Sequence, residues 1–312
     1  MKWDKDSITL GCELELADVD TTKPIPKNLG VWDYEDYTIA NSSGIGNDPK
    51  KKLVRWGGEI NTAPTHSVEE QLSIVESIYS LFPEASINYT CNLHIHAGIL
   101  GLVDNIEVLR KVVSYFYKYQ EEIFQITEKL IPPTREEYPD PLAFKGAMKR
   151  YRRRKVSHQK KIDKRLLECF YKHSNPKDIW DCFVPKRPNG IPCYNPSRPG
   201  INVFQLFRIG TIEFRHFSMT FDLELFGNCL KWVKEIVYTA LTDEKVPYQI
   251  WKELGEPEFP PFQPYDYKID RIFQLTKFSL PRKTVKQNLI KLLEQGEITI
   301  EDIGFEDFMS RR

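Results

Sequence analysis

Apolar residues alternate with polar or small ones over Ser7–Ala17, with Ile8, Leu10, Cys12, Leu14 and Leu16 at every second place. A period of two predicts a strand and puts Gly11, Glu13 and Glu15 together on its other face. Val54–Thr62 reads as a second strand and Asn88–Leu100 as a third, while Ile201–Phe217 reads as two short strands about Gly210. The spacing becomes helical over Ser67–Phe82, where Ser67 can cap and Glu70 can close a capping box. It is helical again over Asp104–Leu130, over a basic stretch from about Leu142 to His173, and over Asp222–Leu241. Asp20–Lys51 and Asp181–Gly200, rich in turn formers, read as loops. The pattern predicts an α+β fold, a mainly antiparallel sheet with helices packed on one side. Residues 246–312 read as a mostly helical extension with a proline-rich loop at Pro257–Pro264.

Composition narrows the class. Hydrophobic residues make up 41% of the 312 and aromatics 12%, enough for a substantial core. Lys plus Arg and Asp plus Glu number 44 each, so no global field draws the chain to nucleic acid or a membrane, and such a partner needs a local patch. Acids interrupt the N-terminal stretch where a signal peptide is apolar, and no run approaches the roughly 18 apolar residues of a membrane span. The six cysteines are scattered without a CxxC pair, which predicts reduced thiols rather than a disulfide framework or zinc site. The expectation is a soluble, cytoplasmic protein.

Four positions put metal-competent side chains where strands offer apolar ones. Glu13 and Glu15 lie about 6–7 Å apart on one strand face, where divalent cations relieve their repulsion; a solvent-facing pair is the plainer alternative. Glu59 follows Gly57-Gly58, a pair that permits a bulge or close backbone approach, or simply a turn into a strand. His94 and His96 point the same way, towards one metal or phosphate cluster. Glu213 and Arg215 also share a face, opposite Ile212, Phe214 and His216. They can be a surface pair, or a metal ligand beside a phosphate clamp. Arg208, expected on the preceding strand, can reach the same cavity.

Together, Gly11-Cys-Glu-Leu-Glu15, Gly58-Glu-Ile-Asn-Thr-Ala-Pro64, Cys91-Asn-Leu-His-Ile-His-Ala-Gly98 and Gly210-Thr-Ile-Glu-Phe-Arg-His-Phe217 resemble the amidoligase family of the glutamine synthetase and glutamate–cysteine ligase superfamily. The likeness spans about Ser7 to Leu241. It implies a curved glutamine-synthetase-like catalytic domain over residues 1–245, with a basic helical insertion at about 142–173. It implies ATP and Mg²⁺, with Mn²⁺ as a substitute. Glu13, Glu15, Glu59, His94 and Glu213 become metal ligands, and His96, Arg215 and Arg208 phosphate contacts. Glu59, Glu213 and Arg215 become the catalytic set. Only one acid near Glu59 fits, which makes Asp18 the candidate to complete the ligands.

The activity so implied is amide formation between a small-molecule or peptide carboxylate and an amine, through an acyl phosphate. The two loops are candidate covers. Tyr194, Asn202, Arg208 and Trp56 are candidate specificity residues. One rival is a two-metal nuclease or hydrolase using the same acids and histidines, and another is an inactive nucleotide-binding relative. Lys145–Arg165 holds eleven Lys/Arg and a single acid, Asp163. It reads as a solvated face, a phosphate or acidic-substrate contact or, less favoured, a nucleic-acid site. Oligomeric state is left open by the sequence.

Overall fold

The computed structural model describes residues 4–36, 39, 57–99, 101–102, 105–127, 132–136, 138–174, 178–179, 199–243, 245, 249 and 254. The strands are β1 (Ile8–Leu16), β2 (Gly30–Asp36), β3 (Gly57–Thr62), β4 (Asn92–Ile99), β5 (Ile201–Asn202) and β6 (Thr211–Ser218). They form one six-stranded sheet in the order β2-β3-β1-β4-β6-β5, with every neighbouring pair antiparallel. The helices are α1 (Val68–Leu81), α2 (Ile106–Thr127), α3 (Pro141–His158), α4 (Lys164–Lys172), α5 (Leu206–Ile209) and α6 (Leu223–Thr242). The fold is α+β. Among the described residues, no helix is long and apolar enough to cross a membrane.

The alternation in β1 sorts its side chains as the sequence implies. Ile8, Leu10, Cys12, Leu14 and Leu16 are buried and join Leu93, Ile95, Ala97 and Ile99 of β4 in one core. α1, α2 and α6 cover this apolar face. Their caps are those written in the sequence. Ser67 Oγ accepts from Glu70 N–H at 3.1 Å, and Asp222 accepts from the first-turn amides of α6. α3 is the exception to one-sided packing. Its end meets β6 and brings His158 to the polar face, with the His158 ring 5.7 Å from that of His94.

Several expectations are corrected. Part of the presumed Asp20–Lys51 loop is the edge strand β2, whose Pro- and Asn-rich approach masks a short alternation. Residues 54–56 of the second predicted strand lie outside the described residues. Ile201–Phe217 is not two strands about Gly210. After the two-residue β5 the chain coils through a 3-10 turn and α5, and only β6 is a full strand. Gly210 ends α5 in the left-handed region (φ 75°), which glycine enters without a Cβ clash. Arg208 is therefore on a helical turn rather than a strand. The basic stretch is two helices, parted where Asp163 caps α4 through Leu166 N–H. Cys169 is disulfide-bonded, against the expectation of reduced thiols throughout. The 246–312 extension falls outside the described residues apart from Gln249 and Leu254.

β6 carries one irregularity that matters for the site. Leu93 pairs with Phe217 but Ile95 pairs with Phe214, so Arg215 and His216 together oppose His94. Arg215 keeps to the polar face with Glu213, as alternation implies, and the bulge lets the successive His216 and Phe217 both enter the core. His216 packs against Phe124, Phe217 and Trp232. Burial drives its pKa down to about 3, against the pull of the Gly200 backbone, and neither ring nitrogen makes a well-formed hydrogen bond among the described residues.

Two predictions follow from these contacts. Gly57 is closed in: a Cβ there would stand 2.2 Å from the Ile39 side chain and 2.5 Å from Leu16 O. Gly57→Ala is expected to cost about 1–3 kcal/mol in a denaturant titration, and an unchanged midpoint would refute the tight approach. His216 stays neutral in the fold but protonates in the unfolded chain near pH 6.5. Between about pH 6.5 and the folded value of about 3 it should therefore lower stability by roughly 1.4 kcal/mol per unit of falling pH. His216→Phe should flatten the acid limb of the stability curve relative to the parent chain, and identical slopes would show that the ring is not held neutral.

Candidate functional site

Strand register assembles the site. On β1 and β4, Glu13 is opposite His94 and Gly11 is opposite His96; on β4 and β6, His96 is opposite Glu213; on β1 and β3, Glu15 is opposite Glu59. The residues singled out on four separate segments thus become cross-strand neighbours on the face away from the core. Glu15, Glu59, His94, His96 and Glu213 are buried, and Glu13 is partly so.

Glu13 is the hub. Its Oε2 is 2.6 Å from His94 Nδ1 and its Oε1 is 2.9 Å from His96 Nε2. Burial alone would raise the Glu13 pKa, but these two hydrogen bonds override it and hold the carboxyl well below its ordinary value. The same contact lifts His96 above the ordinary histidine value despite burial, which pushes it the other way. His96 Nδ1 is in turn 2.9 Å from Thr211 Oγ1.

The other two contacted acids are held from behind. Glu15 Oε2 accepts from both Asn92 N–H (2.9 Å) and Asn92 Nδ2 (2.8 Å), leaving Oε1 towards His94. Glu213 Oε2 accepts from Asn202 Nδ2 (2.6 Å) and Gln205 Nε2 (3.0 Å). Its Oε1 is 2.8 Å from Arg215 Nε, an ion pair whose angle is not that of a hydrogen bond, and 3.5 Å from His94 Nδ1. Burial raises the Glu213 pKa, but the Arg215 charge together with His94 and His96 more than offsets it, so the net shift is downward. The terminal nitrogens of Arg215 make no hydrogen bond or ion pair among the described residues.

Does this set fit a divalent cation? Among the described residues, the carboxylates of Glu13, Glu15 and Glu213 gather around His94 and His96, and oxygen and imidazole donors of this kind suit a divalent cation. His94 Nε2 is buried with no hydrogen-bond partner among the described residues and lies 3.8 Å from Glu15 Oε1. Two atoms each about 2.1 Å from one ion lie roughly 3–4 Å apart, so this gap suits shared coordination. With Nδ1 turned to Glu13, the other nitrogen is the one free to bind metal, the arrangement in which a carboxylate orients a histidine ligand. A second grouping, Glu13, His96 and Glu213, has its donor atoms within 4.8 Å of one another. The donor set fits.

Of the residues anticipated from sequence, Glu13, Glu15, His94, His96, Glu213 and Arg215 are in mutual contact, and Glu59 is on the same face beside Glu15. Asp18, past the end of β1, accepts from the Ser86 hydroxyl. Asn202, anticipated as a specificity residue, instead fixes Glu213. The Arg208 side chain, Trp56, Tyr194 and most of the two presumed covers lie outside the described residues. Sequence reasoning missed Asn92, Gln205, Thr211 and His158. Asn92 and Thr211 sat inside the quoted segments, but His158 is brought in from a distant helix that no periodicity links to the sheet. Comparison with known protein families, curated proteins and solved structures yields no match.

The site predicts metal-linked stability. Mn²⁺ or Mg²⁺ at about 100 times its Kd should stabilise the chain by about 2.7 kcal/mol, read as a rise in Tm. His94→Ala should abolish that rise by removing the unpartnered Nε2. A full shift in the variant would exclude His94 as a ligand.

Proposed function

We propose that the protein is an ATP- and divalent-metal-dependent carboxylate–amine ligase of the glutamine-synthetase type. The observation that carries this reading is the convergence of Glu13, Glu15, Glu59, Glu213, His94 and His96 on one sheet face, with Arg215 against Glu213 and its terminal nitrogens unengaged among the described residues. The resemblance of the same segments to the amidoligases supplies the reaction class.

A carboxylate is a poor electrophile until phosphorylated, after which an amine can attack the acyl carbon and release phosphate. Divalent metal, held by Glu13, Glu15, Glu59, Glu213 and His94, would neutralise charge on the phosphate oxygens. His96 and Arg215 take the phosphoryl group in flight. The guanidinium fork suits paired phosphate oxygens and is already aligned by Glu213, so it needs no reorganisation as charge develops. Asn92, Asn202 and Gln205 keep Glu15 and Glu213 oriented by donating to one oxygen of each. Burial of the cluster limits water, which would otherwise hydrolyse the activated acid.

The deciding assay measures ADP and phosphate release with Mg²⁺ and ATP over pooled carboxylates and amines. Release is expected only when an acid and an amine are both present, and Glu13→Gln should lower it by at least about 100-fold. ATP consumption that ignores the amine, or undiminished turnover in a folded Glu13→Gln chain, would sink the reading. Metal-dependent phosphodiester cleavage without ATP would replace it with the two-metal hydrolase.

A further inference from the structure

α3 contains seven Lys/Arg and no acid in eighteen residues, in a chain whose net charge is zero. Helical spacing divides it into two seams. Phe144, Ala147 and Tyr151 pack towards Tyr89 and Tyr138, and His158 ends the same seam at the site. The outward seam presents Lys145, Lys149, Arg150, Arg152 and Arg153, all exposed and none with a carboxylate partner among the described residues. An ordinary solvated helix face intersperses acids at i±3 or i±4 to pair such cations. This one leaves them mutually repelling, a cost that a bound polyanion would remove.

We propose that the outward seam of α3 is the docking track for an acidic peptide or other polycarboxylate chain, whose terminal carboxylate is led to the metal-competent cluster. The assignment of that carboxylate as the group activated rests on the ligase reading; the docking surface itself does not. Three observations favour this occupant. α3 ends against the cluster, so a chain lying along the helix is aimed at His94 and Glu13. From Lys145 to His158 the axis runs about 20 Å, the span of roughly six extended residues. Arg150, Arg152 and Arg153 offer forks that match carboxylates. The aromatic residue within the run, Tyr151, is packed beside Tyr89 and Tyr138 rather than presented as a platform for a nucleic-acid base.

The test titrates fluorescein-labelled hexaglutamate with the full chain, without ATP, at rising salt, beside the quadruple variant Lys149→Gln, Arg150→Gln, Arg152→Gln, Arg153→Gln. The parent should bind in a salt-sensitive manner, hexaglutamine should not bind, and the variant should lose affinity by about tenfold or more. Circular dichroism and the metal-induced Tm shift of the variant verify that its fold and cluster are intact. Equal affinity in parent and variant, or no binding by the parent, overturns the proposal. So does a short single-stranded oligonucleotide held more tightly than hexaglutamate through the same four residues. Variant-sensitive hexaglutamate binding in a chain that never releases ADP would uphold the surface while removing the ligase. If the ligase assay succeeds, the variant should keep its turnover on a short monocarboxylic acid and lose it on hexaglutamate.

Discussion

Carboxylates crowded on one face of a sheet repel one another, and burial sharpens the repulsion by removing water. The architecture around Glu13 is organised by that constraint. One carboxylate spans two imidazoles on the adjacent strand, and the guanidinium of Arg215 stands against Glu213 on the next. The protein thus compensates part of its own charge within the cluster. A face built for stability would be neutral or apolar, because ion pairs buried in place of packed hydrocarbon seldom stabilise a fold. Carboxylates and imidazoles set side by side there instead demand that charge and orientation be controlled together.

The sheet meets this demand without moving parts. Adjacent antiparallel strands set cross-strand neighbours about 5 Å apart, so register alone brings Glu13, His94, His96 and Glu213 within reach. Orientation comes from a layer of amides behind them: Asn92 for Glu15, and Asn202 with Gln205 for Glu213. Those amides come from the start of β4 and from the tight β5-to-α5 coil. The irregular segment before Gly210 therefore has a use that a regular hairpin would not serve. The apolar face, packed under α1, α2 and α6, keeps this frame rigid.

Much of this was legible in the sequence, for a definite reason. β1 and β4 expose the period of two directly, and alternation by itself collects their acids and histidines on one strand face. Glu213 and Arg215 stood out on the same grounds. What escaped depends on information that a period does not carry. β2 is hidden because edge strands need only brief alternation, and α5 because one helical turn leaves no repeat to detect. Asn202 was noticed but misread, since an amide that supports a carboxylate looks no different in sequence from one that meets a ligand. His158 enters by tertiary packing of α3, a contact between residues 64 positions apart.

The bulge in β6 has a further meaning for how this chain can change. In a regular strand every residue's side is fixed by odd or even count, and one inserted or lost residue inverts all that follow. Here the doubled Arg215-His216 step already breaks the count between Phe214 and Phe217. The strand thus has two independent phases, one shared with His96 through Glu213 and one with Asn92 through Ser218. Sequence drift on the Phe217 side can shift its phase against the core without disturbing which way Glu213 points. The join between the phases is the Arg215-His216 step, where the guanidinium is anchored against Glu213.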